Sequence, residues 1–82
     1  MKSMSETVIS LNSIDKVKRF VLLTKQFDSD IDLVSYNKCV INAKSIMGIF
    51  STDLSKPIVL RIHEEGEKAE EIMSTLKDYV VA

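Results

Sequence analysis

Residues that staple small domains or ligate metals are scarce in this chain. Its 82 residues include one cysteine, one histidine, one proline and two glycines. A lone Cys39 excludes an internal disulfide, and no spacing of cysteine, histidine and carboxylate suits a metal, so the fold must rest on its apolar core. No cofactor is expected. Gly48 and Gly66 stand apart, which excludes a glycine-rich phosphate loop. The longest uninterrupted apolar runs are three or four residues, against roughly 20 for a bilayer span, so no membrane insertion is expected. A dominant charge is missing too. The 11 basic side chains are balanced by 12 acidic ones, leaving a net charge of −1, and no overall field favours direct nucleic-acid binding. Without a cationic, apolar leader the sequence reads as cytoplasmic.

What is present describes an ordinary globular domain. Apolar residues make up 45% and charged residues 28% of the chain, a balance that argues against disorder. A chain this short buries only about 60–65% of its unfolded surface and cannot divide its core. One domain is expected over residues 7–82, after a loosely composed and flexible stretch, residues 1–6.

Four short strands and three helices are predicted from pattern. Thr7 to Leu11 is β-branched and reads as a strand. Asn12 or Ser13 then offers a cap, with Asp15 in the first turn, to a helix running to about Gln26. Ile14, Val17, Val21 and Thr24 form its stripe, with Phe20, Leu23 and Phe27 beside it. Ile31 to Ser35 and Cys39 to Ala43 read as a hairpin across Tyr36-Asn37-Lys38, which places Cys39 in a strand as a packing residue. Ser45 caps a short helix from Ile46 to about Thr52, with Ile46, Ile49 and Phe50 turned inward. Pro57 opens a strand from Ile58 to His63, carrying Ile58, Leu60 and Ile62 on one face. Gly66 ends the next connection. Glu67 to Val80 is a helix on Ala69, Ile72, Met73, Leu76, Tyr79 and Val80. The order β-α-β-β-α-β-α with one-sided helices predicts an α+β open-faced sandwich, a four-stranded antiparallel sheet covered on one side.

Chemistry-bearing candidates are few. The acidic run Glu64, Glu65, Glu67, Glu70 and Glu71 reads as a solvated helix start. Lys16, Lys18, Arg19 and Lys25 give the first helix a modest basic face. His63, the only histidine, sits in a strand. Ser45 stands at a helix mouth next to Lys44, ahead of the apolar run Ile46-Met47-Gly48-Ile49-Phe50.

The order of elements, the hairpin end Ser35-Tyr36-Asn37-Lys38, the run Ala43-Lys44-Ser45-Ile46-Met47-Gly48-Ile49-Phe50, Leu54-Ser55-Lys56 and Glu65-Gly66-Glu67-Lys68-Ala69 together resemble HPr. HPr is the histidine-containing phosphocarrier of the bacterial sugar phosphotransferase system, and the resemblance spans about Thr7 to Val80. That family carries its phosphoacceptor histidine at the start of the first helix, in a Gly-Leu-His-Ala-Arg-Pro-like segment. This chain has Asn12-Ser13-Ile14-Asp15-Lys16-Val17 there, so the resemblance implies a divergent member without the acceptor histidine. Ser45 matches the serine that a dedicated HPr kinase phosphorylates in many Gram-positive members. A phosphate there would tighten the short helix.

The resemblance therefore implies a regulatory or docking module of the phosphotransferase or catabolite-control system, not itself an enzyme. Ser45 is its regulatory phosphorylation site, and Lys44, Ile46, Met47, Phe50, Lys16 and Arg19 form its partner-binding surface. HPr kinase, a transcriptional regulator and Enzyme I are the implied partners. The alternative is a phosphocarrier accepting phosphate at an atypical residue, Asp15 or His63. A further alternative is an interaction domain of the same fold without phosphorylation.

Overall fold

The computed structural model describes residues 5–81. Strand β1 (Ser5–Ile9) is followed by helix α1 (Ile14–Thr24), strands β2 (Ile31–Val34) and β3 (Val40–Asn42), helix α2 (Ile46–Phe50), strand β4 (Ile58–Ile62) and helix α3 (Gly66–Thr75). A single 3-10 turn, Lys77–Tyr79, follows α3. The four strands form one antiparallel sheet in the order β1-β4-β2-β3. This is the expected α+β architecture. The expected flexibility of the amino-terminal residues lies, for residues 1–4, outside the described residues, whereas Ser5 and Glu6 belong to β1.

Period-two alternation decides which face of the sheet is covered. Ile9, Ile31, Leu33, Ile58, Leu60 and Ile62 point inward and are buried against Val17, Phe20 and Val21 of α1, Ile49 of α2 and Ile72 of α3. The opposite face carries Glu6 and Asp32 either side of Arg61, and Val8, Val59, Val34 and Val40 in a row across the four strands. Arg61 Nε donates to Glu6 at 2.6 Å on this open face.

Several boundaries differ from the sequence expectation for identifiable reasons. Strand β1 begins and ends two residues early, because it is paired with β4 from Ser5 opposite Ile62 to Ile9 opposite Ile58. Beyond Ile58 stands Pro57, which has no N–H to extend the ladder. Helix α1 stops at Thr24. Gln26 and Phe27 then donate to the carbonyls three residues back, Leu23 and Thr24, a tightening common at helix ends. Ile14, placed in the buried stripe by its spacing, is 61% exposed; the stripe begins one turn later, at Val17.

The last helix is also shorter than its pattern. Gly66 does not precede it but begins it, in the left-handed region at φ 67°. The helix breaks at Leu76, and the 3-10 turn brings Tyr79 edge-on to Phe20, with ring centroids 5.4 Å apart at 85°. Val80 is then extended and bridges Ile9, while Val81 N donates to Val8 O. The carboxy-terminal residues thus cover the free edge of β1, which would otherwise offer unpaired backbone groups to other chains.

Candidate functional site

The start of α2 is built by three backbone devices. Asn42, closing β3, receives Ser45 N on its backbone carbonyl at 3.0 Å and Lys44 N on its side-chain oxygen at 2.8 Å. That turns the chain out of the sheet. Ser45 is extended, and its hydroxyl accepts from Gly48 N at 3.2 Å, the geometry of a helix N-cap. Gly48 is needed for close approach. A Cβ there would lie 3.0 Å from Ile41 Cγ2 and 3.1 Å from Ser45 Oγ, so the bare backbone lets α2 lie against β3.

Ser45 is half-buried rather than walled off. Of the apolar residues around it, Ile49 is fully buried and Ile46 half-buried, whereas Met47 is 77% and Phe50 38% exposed. Phe50 therefore departs from its expected inward position. A helix of five residues has one inward row, filled here by Ile46 and Ile49, and its neighbours are left at the rim. Lys44 points its ammonium at the backbone carbonyl of Phe27, just past α1.

The start of α1 looks alike in its cap and unlike in its charges. Ser13 Oγ accepts from Lys16 N at 3.2 Å. Asp15, Lys16 and Arg19 line an open groove with Asp78 and Tyr79. Two cations and two carboxylates share this groove. Among the described residues no donor is hydrogen-bonded to the Asp15 carboxylate. Burial of the ring pushes the Tyr79 hydroxyl above its ordinary value of 10.0; the Arg19 charge opposes that shift and Asp78 reinforces it.

His63 stands one residue beyond β4. Its backbone N–H donates to Asp30 O at 3.0 Å, and its Nε2 lies 2.6 Å from Asp32 Oδ2. The ring nitrogen is thus engaged with a residue of the neighbouring strand β2. Cys39 also differs from expectation. It precedes β3 and is exposed, because the Ser35–Lys38 turn, with Lys38 at φ 70°, ends at Ser35 N donating to Cys39 O. The loop after α2 is tied by Asp53, whose carboxylate accepts from the Ser55 hydroxyl at 2.6 Å and the Ser55 amide at 3.0 Å. The hydroxyl first, then the amide, hold the Asp53 carboxyl below its ordinary 3.8.

Three of these contacts were not anticipated from sequence: Lys44 on Phe27, Asp32 on His63, and Tyr79 beside Arg19. The first had no local signal, because α1 already has Lys25 at its C-cap and Lys44 lies 17 residues from Phe27.

The family model described as the phosphorylation site of the phosphotransferase-system HPr component matches residues 16–82. The chain belongs to the HPr family. Among solved structures, HPr-C-His from Thermoanaerobacter tengcongensis is 30% identical, with 90% of this chain and 88% of that one covered and a TM-score of 0.68. The phosphocarrier protein HPr of Bacillus anthracis strain Ames is 28% identical, with 96% and 99% covered and a TM-score of 0.71. The matched segment begins at Lys16, one residue past Asp15, and includes Lys44 to Phe50. HPr proteins interact with proteins of the phosphotransferase system, which gives the general class of partner. Among the described residues no helix is long and apolar enough to cross a membrane, and no group of three or more His, Cys, Asp or Glu could hold a metal ion.

Proposed function

We propose that this HPr-family protein is a non-catalytic regulatory and docking module of the phosphotransferase and catabolite-control system, working in the cytoplasm and switched at Ser45. In the switching step an HPr kinase transfers the γ-phosphoryl group of ATP to Ser45 Oγ. The new bond is Oγ–P, the bond between the γ-phosphorus and the bridging oxygen kept by ADP breaks, and the hydroxyl proton passes through the kinase to solvent. Lys44, Ile46, Met47 and Phe50, with Lys16 and Arg19 on α1, form the surface read by a transcriptional regulator or by Enzyme I.

The observation that carries this reading is the neighbourhood of Ser45 inside the matched segment. Ser45 is half-buried, the first turn of α2 holds no acidic side chain, and Met47 stands out beside it. Methionine suits an adaptable docking surface because its side chain is flexible and polarizable. Neither atypical acceptor has comparable surroundings. Asp15 shares its groove with Asp78, which adds charge where a phosphoryl donor would approach. His63 Nε2 is occupied by Asp32.

The test is incubation with HPr kinase and ATP, followed by intact mass measurement. A gain of one phosphate in the wild type and none in Ser45→Ala is expected. No gain, under conditions that fully modify an HPr from the same cell, would overturn the assignment.

A further inference from the structure

Helix α1 ends in a short tightened turn that another part of the fold reinforces. Its last turn has no basic side chain, and its C-cap, Lys25, keeps an ordinary right-handed conformation. The amides of Lys25, Gln26 and Phe27 satisfy the carbonyls of Val21, Leu23 and Thr24, and the next carbonyl out, that of Phe27, takes a cation from another part of the fold. Lys44 supplies that cation, with Nζ donating to Phe27 O. Phe27 N in turn donates to Thr24 O at 3.2 Å, so this carbonyl belongs to the tightened terminal turn. The Thr24 hydroxyl fixes the same junction from the other side, donating to Val21 O at 2.9 Å and Ala43 O at 3.3 Å. The lysine side chain is half-buried, and its ammonium is held in one place rather than waving in solvent.

Lys44 is also the chain neighbour of Ser45, with Cα atoms about 3.8 Å apart. A phosphoryl group on Ser45 Oγ would bring a charge of about −1.5 to −2 within a lysine side chain's reach. The Phe27 carbonyl bears only a fraction of that charge. We propose that Lys44 is a shared cation: it closes the carboxy-terminal end of α1 while Ser45 is free, and turns to the phosphate once Ser45 is modified. The consequence is reciprocal. The start of α2 gains a charge partner, and the end of α1 loses one. This rests on Ser45 being a modification site and adds what the modification does to the fold.

The experiment uses the full chain with phosphoserine installed at position 45 by genetic-code expansion, so it does not depend on any kinase. Amide hydrogen exchange at Lys25, Gln26 and Phe27 should be roughly two- to fivefold faster in the phosphorylated protein, the size expected when a cation is withdrawn from a helix end. Lys44→Met keeps an apolar stem and removes the charge. It should show the faster rates already and respond no further to phosphate. The Nζ resonance of Lys44 should also shift on modification, and this alone decides the matter if the methionine variant is poorly folded. Unchanged exchange and an unmoved Nζ resonance in the phosphorylated wild type would overturn the proposal, as would an equal acceleration in Lys44→Met. A kinase that fails to modify Ser45 would strike the preceding assignment and leave this result standing.

Discussion

Two helices of this protein open with the same device in different surroundings. Ser13 caps α1 and Ser45 caps α2, each accepting the amide three residues on at 3.2 Å. Ser13 is exposed, with Asp15 in the turn that follows and Asp78 across the groove. Ser45 is half-buried, with no acid in its first turn and Lys44 immediately before it. A hydroxyl at a cap satisfies backbone amides wherever it occurs. What distinguishes the two places as chemistry is the charge set around the cap. Under the proposed function the second place, and not the first, receives the phosphoryl group.

The comparison breaks most severely if α1 loses its footing. Phe20 is fully buried and packs edge-on to Tyr79, so Phe20→Ala should cost about 3–5 kcal/mol. Urea denaturation should show that loss, together with faster exchange in the groove residues. Gly48→Ala acts at the other place. Its Cβ would meet Ile41 and the cap hydroxyl at 3.0 and 3.1 Å, and a cost of about 1–3 kcal/mol is expected. The Ser45–Gly48 bond should loosen while the Ser13–Lys16 bond is kept, as amide chemical shifts would report.

Replacing the caps themselves should have matching, smaller effects. Ser13→Ala and Ser45→Ala are each expected to cost about 1 kcal/mol. Only the second should abolish modification by HPr kinase. A much larger loss for one than the other would show that the caps are not equivalent backbone devices.

Titration separates the two regions by sign. The Asp53 carboxyl, beyond α2, has a folded-state value below its ordinary 3.8. Its contribution is present above 3.8 and fades as pH falls through the lowered value. Tyr79, in the α1 groove, has a value above its ordinary 10.0. Its contribution is present below 10 and fades as pH rises through the raised value. Thermal melts of Asp53→Asn should lose part of the acid dependence, and those of Tyr79→Phe part of the alkaline dependence. The opposite assignment would contradict the geometry.

The sheet was largely legible from alternation. Ile58, Leu60 and Ile62 were placed on one face and are buried there, and the hairpin between β2 and β3 was marked by its turn residues. Helical spacing found Val17, Phe20, Ile72 and Leu76. It failed at the ends, where a periodic residue such as Ile14 lies past its partner element. It also failed at Val80, whose apolar side chain serves a strand edge and not a helix. The Ser45 cap could be read from Ser followed by an apolar run. Its coupling to α1 could not, because Lys44 and Phe27 are 17 residues apart and only the packed fold brings them together. Phe50 shows the same limit, since a five-residue helix is too short for spacing to decide which of its residues face inward.

The central claim is that the charge set around Ser45, and not that around Asp15 or His63, makes the phosphoryl site. The most direct measurement is site mapping by mass spectrometry after two parallel reactions, one with HPr kinase and ATP, the other with Enzyme I and phosphoenolpyruvate. A single phosphoserine at position 45 from the first and no label from the second is the predicted result. An acid-labile phosphate on His63 or a hydroxylamine-sensitive one on Asp15 would contradict it.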